Sequence, residues 1–268
     1  MRPATIAFLI VLAGNARPAS AQTDYYNTDS GRPVTIEDAY PVERHAFELQ
    51  LAPVRLERAV GGVYGWQFEP ELAYGIMPRT QLEVGLPIHL TDPASPGAAR
   101  GVGGLEISAL HNLNVETATL PALGVAIETV LPLGPAAPED AYASIKAIAT
   151  RTFGWARIHL NGRWTWGPAP ASRVDRSDEM SRWMVGGAID RTLPLRSALF
   201  TAAVFVEQPL RPQDELQWTT EAGLRYQWSP RLALDGGVGK GVSGEDRAWS
   251  VTMGAAYAFA IRSLMPGR

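Results

Sequence analysis

The feature that most constrains this chain is a two-residue period running through 66–90. In 66–76, Trp66, Phe68, Pro70, Leu72, Tyr74 and Ile76 fall on one face. Gln67, Glu69, Glu71, Ala73 and Gly75 fall on the other. After Met77-Pro78-Arg79 the pattern resumes, with Thr80, Leu82, Val84, Leu86, Ile88 and Leu90 set against Gln81, Glu83, Gly85, Pro87 and His89. Successive side chains of a strand point to opposite faces, so the stretch reads as a β-hairpin. Each run has the roughly 9–11 residues that a tilted strand needs to cross a bilayer.

Twelve such runs can be laid along the chain: 45–54, 66–76, 80–90, 102–115, 122–133, 142–152, 155–166, 182–192, 198–208, 216–228, 231–241 and 248–261. The connections alternate. Those at 55–65, 91–101, 134–141, 167–181, 209–215 and 242–247 are long; those at 77–79, 116–121, 153–154, 193–197 and 229–230 are short. Outer-membrane barrels sort their loops this way, with short periplasmic turns and longer outer loops. A soluble sandwich or a lipocalin-like barrel has no reason to do so. The expected fold is all-β: a transmembrane antiparallel up-and-down barrel of about twelve strands, with both termini in the periplasm.

The eight tryptophans fall near the ends of these runs. Amphipathic rings prefer the headgroup level, so an aromatic girdle is expected at each membrane interface. Trp66, Trp164, Trp166, Trp183, Trp218, Trp228, Trp249 and Tyr257 are its candidates. No other apolar run is long enough for a transmembrane helix. The chain has no cysteine, so backbone pairing and packing must hold it without disulfides. A net charge of −3 does not fit a nucleic-acid partner.

Outside the barrel, residues 1–21 read as a secretory signal peptide. Arg2 is its positive start, 6–13 its apolar run, and Ala19-Ser20-Ala21 its cleavage site. The polar stretch 22–44, with Gly31, Pro33 and Pro41, reads as an irregular periplasmic lead-in. The barrel spans 45–261 and 262–268 is a tail. A cell outer membrane of a Gram-negative bacterium follows, with outer-membrane lipid and the barrel-assembly machinery as partners.

The inner face carries two sets of charges. Glu48, Glu69, Glu71, Glu83, Glu106 and Glu128 come from the first five runs; Lys146, Arg157, Arg163 and Arg225 come from the sixth, seventh and tenth. Closed in a ring, the two sets would face each other across the lumen. One consequence is a transverse field that orients a solute in a narrow pore. The other is a lumen filled by ion pairs, since a buried charge without a partner costs several kcal/mol. Glu69, Glu71, Glu83, Glu106, Glu128, Arg157, His159, Arg163 and Arg225 are the candidates for solute contact. Whether the lumen is filled at the level of Glu71 and Arg163 decides between the two.

An outer-membrane lipid hydrolase would need a Ser, a His and an orienting polar group together near the rim. His159 and Asn161 share an inner face with Arg157 and Arg163, but no serine lies beside them. His45, His89 and His111 form no pair with metal-ligand spacing. No catalytic residue, cofactor or metal is expected. The glycine-rich 234–244 precedes no helix, so it fails the context of a nucleotide loop.

Several stretches resemble one family: GVGGLEISAL at 101–110, VLPLG at 130–134, HLN at 159–161, WMVGGAID at 183–190 and LDGGVGKGVSG at 234–244. Together they make the chain similar, over about 45–260, to the outer-membrane proteins of the meta-pathway of phenol degradation, a transporter family. The chain departs from that family at Gly104, where an acidic residue is usual, and by running past Phe259. The resemblance implies passive uptake of small organic solutes, aromatic or hydrophobic ones included. The rival expectation is a non-conducting structural or lipid-binding barrel.

Overall fold

The structure, a computed structural model, describes residues 27–58, 64–91, 100–170, 180–193, 197–243, 248–261 and 264. The expected signal peptide at 1–21, residues 171–179 of the long connection 167–181 and, Leu264 aside, the tail at 262–268 lie outside the described residues. Among the described residues no helix is long and apolar enough to cross a membrane.

The chain forms β1 (Ala46–Arg58), β2 (Tyr64–Met77), β3 (Thr80–Gly85), β4 (Ile88–Thr91), β5 (Arg100–Val102), β6 (Leu105–Asn114) and β7 (Ala122–Leu131). It continues with β8 (Tyr142–Thr152), β9 (Arg157–Trp166), β10 (Ser181–Thr192), β11 (Ala198–Pro209), β12 (Gln217–Ser229), β13 (Leu232–Ser243) and β14 (Trp249–Ala260). Each segment pairs antiparallel with its neighbours. β1 pairs with both β14, through Ala46 and Ala260, and β2, through Phe47 and Tyr74. The ring is therefore closed, first strand to last.

These fourteen segments make twelve staves, because two staves are each broken in two. The third run splits into β3 and β4 at Leu86-Pro87. Proline has no N–H to give a ladder, and here the Leu86 N–H reaches the Pro70 carbonyl instead, at 3.1 Å. The fourth, expected at 102–115, forms β6 only from Leu105; β5 precedes it and, Val102 aside, lies in the expected 91–101 connection. Gly103-Gly104 separates the two, and Gly104 has φ 140, a conformation open to glycine. The Gly103 N–H donates to the Pro87 carbonyl at 2.7 Å, so the two breaks lie side by side.

The two rims differ in their connections, but less sharply than expected. At one rim β2 is followed by β3, β6 by β7, β8 by β9, β10 by β11 and β12 by β13, with the start of β1 and the end of β14. At the other β1 is followed by β2, β4 by β5, β7 by β8, β9 by β10, β11 by β12 and β13 by β14. We call these the short and long rims. β1 and β2 run further than their alternation suggests, so 59–63 is shorter than 115–121.

The outward face is apolar along the staves: Leu72, Val84, Ile107, Ile127, Leu160, Val185, Leu224, Val238 and Met253 are all exposed. Buried polar residues such as Gln50, Asn112, Thr150, His159 and Arg225 lie on the inside. This inverts a soluble barrel and suits one that faces lipid.

The lead-in does not stay outside the barrel. Residues 27–44 run into the lumen from the short rim and pack against the inner wall as a plug. All three buried apolar clusters form around it. Val34 and Ile36 pack with Met184, Ala188, Ala203 and Phe205. Ala39 packs with Leu110, Ala122 and Ile148, and Val42 with Ala46, Ala258 and Ala260. The wall makes room with glycine. A Cβ on Gly75 would sit 2.0 Å from the Glu43 carbonyl oxygen, and one on Gly223 would sit 2.6 Å from Pro33 Cβ. At Gly75 the clash is with plug backbone, which cannot rotate away. Gly75→Val is therefore expected to lower stability by about 1–3 kcal/mol and to expose 27–44 to protease. Thermal unfolding and limited proteolysis in detergent measure the two effects.

Candidate functional site

The wall's basic side chains converge on the plug. β8 carries Lys146, whose Nζ lies 2.6 Å from Glu37 Oε1. The Glu37 backbone is held at both ends by Asn161 of β9, accepting through Oδ1 and donating through Nδ2, each at 2.9 Å. Arg225 of β12 meets Asp29 at 2.9 Å, and Asp29 also takes Arg32 of the plug at 2.5 Å. Arg32 in turn faces Glu48 of β1 at 3.6 Å. On the same strand as Arg225, Glu221 accepts from the Thr35 N–H at 2.6 Å and from the Thr35 hydroxyl at 3.0 Å.

Near the short rim, β9 and β10 build a second knot. Arg157 grips Asp190 through two bonds, at 3.0 and 2.7 Å, and approaches Asp38 of the plug at 3.6 Å. His159 joins Asp190 at 2.8 Å on one ring nitrogen and the Thr150 hydroxyl at 3.0 Å on the other. Thr150, His159 and Asp190 thus have the order of a hydrolytic triad. The Ala39 N–H donates to Thr150 Oγ1 at 3.1 Å, and Thr150 is fully buried, so the plug covers the would-be nucleophile.

The acids of the plug respond to this setting in opposite senses. Burial would raise Asp29, but Arg32 and Arg225 outweigh it and hold its carboxyl below the usual range. Burial dominates at Asp38 and pushes it up to about 6 against the pull of Arg157 and His159.

Above the plug the lumen is not filled. A cavity of about 320 Å³ is lined by both Glu71 and Arg163, and extends towards Pro138 and Met180 of the long rim. Glu69, Glu83, Glu106, Glu128 and Glu207 also line it, with Arg55. Glu69, Glu71 and Glu106 place carboxylate oxygens within 4.8 Å of one another, a spacing that could hold a hard divalent cation. Gln81 donates to Glu83 at 3.1 Å. Arg163 donates to Ser181 Oγ at 2.7 Å.

The two charge sets therefore do not simply face each other. Of the acidic set, Glu69, Glu71, Glu83, Glu106 and Glu128 stay in the cavity wall, Glu48 meets Arg32 and Arg225, and Lys146, Arg157 and Arg225 are taken up by the plug. His159 is buried under Ala39 rather than set towards the cavity. Asp29, Arg32, Glu37, Asp38 and Asp190 belong to the site and were not picked out from the sequence. Four sit in a stretch without strand alternation, and Asp190 stands out only once Arg157 and His159 lie across from it. The signal available was the lead-in itself, whose charges interleave with Val34 and Ile36.

The girdle candidates divide between the rims. Trp66, Trp164, Trp166, Trp183, Trp218 and Trp249 sit at strand ends of the long rim, with Trp164 paired to Trp183. Trp228 and Tyr257 sit near the short rim, where Phe47 stacks on Tyr74 at 4.4 Å and on Phe259 at 5.3 Å.

No family model matches the chain, and no curated protein matches it. Solved structures do. An outer membrane channel from Pseudomonas putida F1 is 13% identical, with a TM-score of 0.57, over 87% of this chain and 100% of that one. The KdgM porin in complex with disordered oligogalacturonate is 12% identical, with a TM-score of 0.50, over 80% and 99%. At these identities the likeness concerns the fold: this is a closed twelve-stranded antiparallel barrel of the outer-membrane type.

The titration of Asp38 makes plug docking pH-dependent. Its carboxyl binds a proton more tightly docked, at about 6, than at the ordinary 3.8. The docked state is therefore favoured most below 3.8, and that contribution is lost as the pH rises through 6. At about 1.4 kcal/mol per unit the change is about 3 kcal/mol. Wild-type protein is expected to lose more thermal stability between pH 4 and pH 7 than Asp38→Asn does, as measured by unfolding in detergent at both pH values.

Proposed function

We propose that the protein is a passive outer-membrane channel for small organic solutes, with the space above the plug as its solute chamber. The observation that carries this reading is the 320 Å³ cavity, lined by polar and charged side chains inside a barrel whose outer face is apolar. That volume is at the lower end of known ligand pockets, near 300 Å³, and suits a molecule of one ring more than an oligomer. The resemblance to the phenol-pathway family adds aromatic compounds to the candidate solutes. In this reading a signal peptide directs export, the short rim and both termini face the periplasm, and no catalysis is involved.

A second reading has its own observation. The plug's hydrogen bonds and ion pairs fill the lumen below the cavity, as a structural barrel with a closed floor would require. Recording single channels in planar bilayers separates the two. The channel reading expects discrete currents from wild-type protein and larger ones when 27–44 is deleted. Silence from both forms, with no solute flux into liposomes, would establish the structural reading.

A further inference from the structure

We infer that the plug sets the charge preference of the lumen: by pairing with Lys146, Arg157 and Arg225 it silences the wall's basic half, so that the path admits cations over anions. This rests on the channel reading above and adds the class of solute to it.

The argument begins with where the charges go. Glu37, Asp38 and Asp29 stand 2.6, 3.6 and 2.9 Å from Lys146, Arg157 and Arg225 respectively. Opposite charges this close cancel beyond a few ångströms, so a passing ion meets little positive field there. Arg157 and Arg225 are also held by wall acids, Asp190 at 2.7 Å and Glu48 at 3.9 Å, which leaves no excess of positive charge. Among the described residues no wall acid lies within ion-pair distance of Lys146, so its cancellation depends on Glu37.

The opposite side of the cavity is treated differently. Among the described residues, no cation lies within ion-pair distance of Glu69, Glu71 or Glu106, whose oxygens crowd within 4.8 Å of one another. The ion pairs therefore take up positive charge at Lys146, Arg157 and Arg225 and leave the cavity lining with more acids than cations. Acids outnumber the cations Arg55, Lys146 and Arg163 in the cavity lining, and a chamber with such an excess, walled by a low-dielectric shell, concentrates counter-ions. Protonated amines and other small organic cations gain from this field; free carboxylates and phenolates are repelled by it.

Reversal potentials in planar bilayers under a KCl gradient test the inference. Wild-type protein is expected to pass potassium several-fold better than chloride. Asp29→Asn, Glu37→Gln and Asp38→Asn combined should bring the ratio to unity or below it. Should that variant fail to fold, Glu37→Gln alone moves the ratio towards chloride, and adding Lys146→Gln moves it back. Wild-type current without cation preference, or a ratio that none of these substitutions moves, overturns the inference while leaving the channel reading intact. Absence of current from wild type and from the 27–44 deletion overturns both.

Discussion

Three cations in the wall need a partner inside a lumen that water only partly reaches. An uncompensated buried charge costs several kcal/mol; Lys146 finds its partner in Glu37 of the plug, and Arg157 and Arg225, each beside a wall acid, gain a second one there. The chain answers with its own N-terminal acids. From that pairing the rest follows. Glu37 brings the plug across to β8 and β9, Asp29 ties it to β12, and Asp38 lays it over the Arg157–Asp190 pair. The glycines at 75 and 223 have no room for a side chain because plug backbone or proline already occupies it. Apolar residues facing inward, such as Leu110, Ile148 and Phe205, would be out of place in a water-filled lumen. They are in place beneath Ile36 and Ala39.

The strands were legible because period two is a local property. β8 spans the expected 142–152, and Ser144, Lys146 and Thr150 are buried as the alternation requires, while Ile145 and Ala147 are exposed. What alternation could not show was the break at Leu86-Pro87, since Leu86 and Ile88 keep the pattern across it. Backbone donors decide whether a ladder continues, and side-chain polarity does not report them. The plug was illegible for a related reason. Its residues make no strand, and their partners lie far away in sequence: Thr35 bonds to Glu221 across 186 positions, and Asp29 to Arg225 across 196. A stretch with Gly31, Pro33 and Pro41 looks like an external linker until the wall that receives it has been closed.

The same limit applied to the site. Alternation placed Glu69, Glu71, Glu106, Arg157 and Arg163 on the inner face, and all but Arg157 line the cavity. It did not say which charges meet. Arg157 and Arg163 are neighbours on one face of β9, yet the first is bound to Asp190 and the plug while the second reaches Ser181 near the long rim. They stand at opposite ends of β9, so height along the barrel axis separates them, and the register with β10 sets Asp190 opposite the first and Met184 opposite the second.

The closing pair of the barrel, β1 with β14, joins the two ends of the wall. Bringing such distant segments together carries the largest loop-closure cost of any contact in the ring. The plug is attached directly to β1, and its partners lie on β8, β9 and β12. Its contacts with Glu221 and Arg225 therefore draw the first strand towards the last third of the chain by a route independent of the seam. The segment that occupies the lumen thus also fastens the first strand to the last third of its own wall, a second clasp beside the seam.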